Sequence, residues 1–489
     1  MAQGITIVGL GPGDPELLTL AAARALAEAD DVYVRTEQHP TLDDSGIAAQ
    51  LQGRLHAFDA LYETYDSFAE VYAAIVAQVL ALGEREQGVV YAVPGDPLVG
   101  EATVQALLTE APSRGLPVRI IHGVSFVEPT LAALHIDAFD GLQLCDATLL
   151  AKRLHPPLDP DVTALIVQVY NQQLASDCKL TLMALYPDEH PVRLVLHAGL
   201  PGQQVRELPL YELDRQPDLD HLSSLLVPAL PAPGSLSSYQ EVMARLRAPD
   251  GCPWDREQTH ESLRTYLLEE TYEVLAAIDA GDLDEVCQEL GDLLLQILFH
   301  TQIATENGDF RLTDSIQYAI AKLVRRHPHV FGEAQAASPD EVLQSWEQIK
   351  REERLANGQE RRSMLDGINQ ALPALAQALK IQERVARVGF DWADESQVRA
   401  KLDEELAEYA HAPDAAARGR ELGDVLFALV NVARWQGINP EDVLRQTNAR
   451  FARRFAAIEA QAAATGRELS AMTLAEMDAI WEQAKADEC

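Results

Sequence analysis

Two short acidic patterns carry residue types that hold divalent cations. Glu404-Glu405-x-x-Glu408 is followed by Glu421-Leu-Gly-Asp424. On a helix, residues three and four apart share a face. Glu405 and Glu408 therefore project together with Glu404 beside them, and Glu421 and Asp424 make a second pair one helix later. Packed antiparallel, the two helices bring four carboxylates together. Such a cluster repels itself and takes up protons unless a cation joins it. Oxygen ligands in that number suit Mg²⁺ or Mn²⁺, which sit between carboxylates and substrate phosphates. A lone acidic helix face is ordinarily just solvated. Two features argue against that here. Glu421 and Asp424 lie in apolar sequence (Leu422, Val425, Leu426, Phe427, Leu429, Val430), where a bare charge is costly to bury. The double pattern also occurs twice: Glu269-Glu270-x-x-Glu273 stands 135 residues earlier and Glu289-Leu-Gly-Asp292 stands 132 earlier. Glu270, Glu273, Glu289 and Asp292 are thus a second candidate ligand set.

Cations follow each acidic set. Arg450 and Arg454 lie four apart on one predicted helix, as do Lys322 and Arg326, a spacing that can hold a triphosphate. Trp481 and Trp346 follow, either stacking on a base or packing in a core. Glu404, outside the inner set, can orient an attacking water, and no covalent protein intermediate is needed.

A second kind of chemistry is suggested by glycine-bearing loops after predicted strands. Gly9-Leu-Gly11-Pro-Gly13-Asp14 follows Ile5–Val8, Pro94-Gly95-Asp96-Pro-Leu-Val99-Gly100 follows Val89–Val93, and His122-Gly-Val-Ser125-Phe126 follows Val118–Ile121. Pro12 and Asp14-Pro15 break a dinucleotide fingerprint, and an Asp at the turn disfavours a pyrophosphate. Three such loops suit a ligand cleft at the carboxyl edge of parallel strands. His122 and His135 are given no role.

The elements that position these residues divide the 489-residue chain in two. Residues 1–230 alternate strands, among them Leu165–Val169 and Arg193–Leu196, with helices such as Pro15–Ala29 and Ser67–Leu82. That order implies an α/β fold with largely parallel sheets. A Pro/Gly/Ser-rich linker spans 231–238. Past it strand signals vanish, and Glu261–Ala280, Leu283–Glu306 and Arg420–Trp435 show helical periodicity. The remainder reads as all-α, with tandem repeats at 239–358 and 359–489.

Composition sets outer limits. Asp and Glu number 76 against 39 Lys and Arg, a net charge of −37. Such a surface argues against a nucleic-acid binder or a partner of anionic membranes. Cys145, Cys178, Cys252, Cys287 and Cys489 form no paired framework, which suits a reducing cytoplasm. The opening MAQGITIVGL lacks a basic targeting segment, and no apolar run reaches the ~20 residues of a membrane span.

CPWDREQTHESLRTYLLEETYEV, ELGDLLLQILFH, RRHPHVFG, LDGINQALPALAQALKIQERVARVGFDW and ELGDVLFALVNVARW resemble the MazG nucleoside triphosphate pyrophosphohydrolases, from about Ser237 onward. The resemblance implies an all-α, homodimeric, Mg²⁺-dependent enzyme converting an NTP to NMP and diphosphate. It implies metal ligation by Glu405, Glu408, Glu421 and Asp424 and nucleotide contacts from Arg450, Arg454 and Trp481. The family usually has Lys where Arg450 stands, and its second repeat can carry the activity. GLGPGDPELLTL, PGDPLVGEATV, HGVSF and ALYPDEHPV resemble the tetrapyrrole methylases over residues 3–228. Those are two-subdomain α/β enzymes that bind S-adenosylmethionine in the cleft between subdomains. That implies cofactor contacts from Gly9, Gly11, Gly13, Asp14, Gly95, Asp96, Val99, Gly100, Ser125 and Phe126, with Met183 and Ala184 on the far side. The whole arrangement resembles the bacterial YabN-type fusion family. The expected function is a hydrolase joined to a methyltransferase acting on a tetrapyrrole or other acceptor. The alternatives are a front end that only senses a ligand, or helical repeats that serve chiefly as a dimerisation scaffold.

Overall fold

The computed structural model describes residues 4–43, 45–356 and 363–487. Cys489 and the expected repeat boundary at 358/359 lie outside the described residues. The chain forms two compact units, residues 1–257 and 258–489.

The first unit holds two five-stranded sheets. β1 (Ile5–Gly9), β2 (Val32–Val34), β3 (Leu55–Ala57), β4 (Val89–Val93) and β5 (Val118–Ile121) make the first sheet, in the order β3-β2-β4-β1-β5. All its pairs are parallel, with Ile5 opposite Val89 on one side and Val118 on the other. Helices cover it, and β1 and β4 are correspondingly Val- and Ile-rich and buried. The second sheet runs β6 (Gln143–Asp146), β7 (Ala164–Val167), β10 (Ser223–Val227), β8 (Pro191–Leu196), β9 (Gln204–Pro209). Only β6 and β7 are parallel there; the other pairs are antiparallel. The first sheet is parallel as expected, and the second departs from that expectation. A short turn joins β8 to β9, and a connection that short permits only antiparallel neighbours.

Local chemistry explains other departures. The stretch expected as one helix from Pro15 is a 3₁₀ turn, Pro15–Leu17, then a helix, Leu20–Glu28. Asp14 caps the first and Thr19 the second, the Ala22 N–H donating to its hydroxyl at 3.2 Å. The stretch expected as a linker is tied down. Asp161 accepts hydrogen bonds from the N–H groups of Gly234 (2.8 Å) and Ser235 (3.1 Å) and from the Ser238 hydroxyl. These bonds, that from Ser238 foremost, hold its carboxyl down to about 2. Ser235 then caps helix Leu236–Arg247, which lies within the first compact unit.

The second unit is helical throughout its described residues. Each repeat is built on a hairpin, Arg264–Ala280 with Leu283–Asn307 and Glu395–His411 with Ala415–Trp435. Longer-range helices complete them: Leu312–Arg326 and Pro339–Ala356 in the first repeat, Pro440–Ala464 and Leu474–Asp487 in the second. Arg445 of the second repeat pairs with Asp279 of the first and donates to the Leu275 carbonyl at 3.4 Å.

Candidate metal and ligand sites

Capping residues fix both hairpins. Gly281, at φ 71°, ends the first arm of the first repeat, where its N–H reaches the Ile278 carbonyl. Asp282 starts the second arm, accepting from the N–H groups of Asp284 and Glu285 at 3.1 Å. In the second repeat Asp394 and Asp414 cap the two arms, at 3.1 Å from Gln397 N and 2.7 Å from Ala417 N. The first arm reaches Ala280 beyond Glu273 but ends at His411, three residues beyond Glu408. That missing turn accounts for the drop in repeat offset from 135 to 132.

The caps bring the acidic patterns together. One oxygen each from Glu405, Glu408 and Glu421 lies within 4.8 Å of the others, and the same holds for Glu270, Glu273 and Glu289. An ion with oxygens at about 2.1 Å spans up to about 4.2 Å between opposite ligands, so slight closure fits each trio to Mg²⁺ or Mn²⁺. Asp424 and Asp292 belong to neither trio, although Asp292 is near enough to raise the Glu270 pKa. Partial burial is the larger cause of that rise, and Glu273 and Glu289 add to it. Glu289 is likewise raised by burial and by Glu273 and Glu285. The apolar setting of Glu421 and Asp424 is only half as expected. Val425 and Val430 are buried, whereas Leu422, Leu426, Phe427 and Leu429 are exposed.

Lys401, which its sequence context does not single out, stands beside the second trio. Its ammonium lies 2.8 Å from both Glu404 and Glu405, and those bonds raise its pKa. The place four residues before Glu270 is held by Tyr266. Among the described residues no Lys or Arg pairs with Glu270, Glu273 or Glu289. An i,i+4 Lys–Glu pair was readable as an ordinary helix contact, which is why it gave no signal.

The nucleotide candidates sit on other helices. In the second repeat the Arg454 guanidinium lies 5.5 Å from the Trp481 ring centroid, and Phe451 packs on the same indole at 4.9 Å. Arg450 donates to the Thr447 hydroxyl at 3.0 Å. In the first repeat Arg326 instead meets Glu353 through Nη2 at 2.6 Å and Nε at 3.2 Å, and Arg325 adds a contact at 2.6 Å. The Arg326 hydrogen bond is the largest cause holding the Glu353 carboxyl down to about 2. Trp346 meets His327 edge-on at 5.0 Å, and Lys322 lies 5.5 Å over Tyr318.

In the first unit the three loops converge. Gly11 and Gly95 exchange backbone hydrogen bonds at 3.2 and 2.8 Å. A Cβ on Gly9 would lie 2.6 Å from the Gly95 oxygen and from the Gly123 nitrogen, so side chains are excluded at this junction. Asp14 caps its 3₁₀ turn, and Asp96 accepts from Leu98 N at 2.8 Å. His122, given no role from sequence, meets Asp96 through Nδ1 at 2.8 Å. Ser125 accepts from Val127 N at 3.0 Å, and a Cβ on Gly100 would touch Phe126 at 3.7 Å and Gln168 at 3.8 Å. Val99 closes the Asp96 turn. Met183 packs on the core of the second sheet, and Ala184 is exposed just past the end of helix Gln172–Leu182. Beside the loops, Arg35 pairs with buried Glu101 at 2.8 Å, and burial pushes nearby Tyr62 up to about 12.

Residues 4–214 match the family Tetrapyrrole (Corrin/Porphyrin) Methylases, and residues 258–331 match the MazG nucleotide pyrophosphohydrolase domain. Uncharacterized protein YabN of Bacillus subtilis is 42% identical over 100% of this chain and 99% of its own length. The chain belongs to this family of methylase–MazG fusions. A nucleoside triphosphate pyrophosphohydrolase/pyrophosphatase MazG of Thermotoga maritima is 44% identical over 50% of this chain and 93% of its own. The nucleoside triphosphate pyrophosphohydrolase of Escherichia coli K12 is 46% identical over 50% and 95%. The MazG match falls on the first repeat, and the second repeats its helical hairpin and its carboxylate trio. No described helix is long and apolar enough to cross a membrane.

Proposed function

We propose that the fusion protein is a Mg²⁺-dependent nucleoside triphosphate pyrophosphohydrolase, releasing NMP and diphosphate, joined to an S-adenosylmethionine-dependent methyltransferase domain. The observation carrying the hydrolase reading is the trio of Glu405, Glu408 and Glu421. A bound divalent cation would neutralise phosphate charge and acidify a water. Glu405, Glu408 and Glu421 would hold it, with Asp424 one turn along from Glu421. Glu404, more exposed than Glu405, would orient the water, while Arg450, Arg454 and Trp481 would bind the nucleotide. The second repeat is the better candidate for turnover. Its Arg454 guanidinium lies 5.5 Å from the Trp481 ring centroid, so the cation and the indole expected to bind the nucleotide stand together there. Purified Glu408→Ala and Asp424→Ala variants should lose diphosphate release from NTPs; full activity in both would sink this assignment.

The hydrolase is assigned to residues 239–489 and to the cytoplasm. A homodimeric assembly is supported by exposed Leu406, Leu422, Leu426 and Leu429 on the two arms that carry the trio. Light scattering should give twice the chain mass. For residues 1–230, the side-chain-free junction of Gly9, Gly11 and Gly95 supports S-adenosylmethionine binding beside the first sheet. Calorimetry with S-adenosylmethionine tests this, and a methyl-transfer assay then separates an enzyme from a sensing module.

A further inference from the structure

The two trios share their ligands but not their surroundings. Lys401 contacts Glu404 and Glu405 at 2.8 Å in the second repeat, and Tyr266 stands at the corresponding place in the first. We propose that Lys401 is a resident counter-ion, a positioning residue that keeps the second trio assembled without a metal and makes that repeat the weaker binder of divalent cations. The proposal rests on the reading of both trios as cation sites.

Three negative side chains within 4.8 Å repel one another. Glu405 is also only 7% exposed, so water screens its charge poorly. An ammonium at hydrogen-bond distance relieves both costs and fixes the Glu405 rotamer through Oε1. Lys401 contacts both Glu404 and Glu405, which places its ammonium beside the trio. A divalent cation approaching the second trio therefore meets one positive charge already in place. The first trio offers the full negative field, because Tyr266 carries no charge at neutral pH. The first repeat accordingly fills at lower cation concentration. The second fills at higher concentration, or when an anionic ligand adds negative charge beside it.

Mn²⁺ binding to the metal-stripped full-length protein, read from the resonance of free Mn²⁺, tests this without reference to turnover. In a Glu273→Ala background, which removes the first trio, Lys401→Met should tighten Mn²⁺ binding about tenfold. Lys401→Arg, which keeps the charge, should restore the parent affinity to within about twofold. In a Glu408→Ala background, Tyr266→Lys should loosen the first-repeat site by a similar factor. Unchanged or weaker Mn²⁺ binding in Lys401→Met overturns the proposal. If that variant fails to fold, the Tyr266→Lys result decides alone, and unchanged affinity there overturns it. Absence of Mn²⁺ binding by the unmodified protein overturns the cation reading of the trios together with it.

Discussion

The two helical repeats place the same three glutamates on the same kind of hairpin, yet they answer that acidity differently. In the second, Lys401 sits against the trio and Arg454 lies over Trp481. In the first, Tyr266 replaces the lysine, Glu270 and Glu289 are pushed toward protonation, and Arg325 and Arg326 converge on Glu353. Duplication kept the ligand geometry, while the cations around it diverged. If both trios hold a cation as proposed, the neighbouring side chains set how each site behaves.

The widest test of that difference is to remove one trio at a time. Glu408→Ala should lower diphosphate release at least about 100-fold, the scale of losing a charge-stabilising group. Glu273→Ala should change it less than about threefold. Equal losses in a steady-state NTP assay would mean that both repeats contribute to one reaction.

A second test uses stability. The crowded carboxylates are unfavourable without a cation, so Mg²⁺ at 100 times its dissociation constant should stabilise the fold by about 2.7 kcal/mol. Thermal melting with and without chelator measures this. The gain should shrink most in Glu273→Ala if the first trio is the tighter site.

Much of this site was legible because helical spacing is a strong geometric rule. Glu405 and Glu408 had to share a face, and a second acidic pair one helix later had to meet them if the helices formed a hairpin. The three glycine loops were legible for a similar reason, since each followed a buried apolar strand. What stayed hidden depended on contacts between elements. Lys401 looked like one lysine among many surface ion pairs. Asp424 shares a face with Glu421 but falls outside the trio. Glu353 gave no sign that it would reach back to Arg325 and Arg326 from the next helix. The three-residue strands Val32–Val34 and Leu55–Ala57 are too short for alternation to register. The antiparallel second sheet followed from a turn length that strand composition does not encode. Leu422, Leu426 and Leu429 read as core by type, yet a single chain leaves them exposed.

The Glu353 contact sharpens the comparison through pH. Its carboxyl is held down to about 2, below the ordinary glutamate value. The folded state therefore binds fewer protons than the unfolded one. The stabilisation is complete above about pH 4.5 and is lost as pH falls toward 2. Glu353→Gln should destabilise the protein by about 1 to 2 kcal/mol at pH 7, discounted for the exposure of Arg325, and the difference should vanish in acid. Denaturant unfolding across pH 2 to 7 reads the convergence. A constant difference would place the effect in packing instead of charge. If Glu353 also occupies Arg326, the arginine expected to bind phosphate, the same variant in a Glu408→Ala background should bind an NTP analogue more tightly than its parent.

The smallest expected effect concerns whether the repeats can be treated separately at all. Arg445 is 22% exposed and reaches from helix Pro440–Ala464 to Asp279 at the end of helix Arg264–Ala280, with Asp442 3.2 Å away. A partly buried pair of this kind is worth about 1 kcal/mol. Arg445→Met keeps the aliphatic stem and removes the charge. If the repeats unfold as one unit, calorimetry should show a single transition moved down by a few degrees. A split into two transitions would mean that this contact couples them. The stabilities of the two trios could then be measured side by side in one molecule, the metal-dependent shift of each transition reporting its own site.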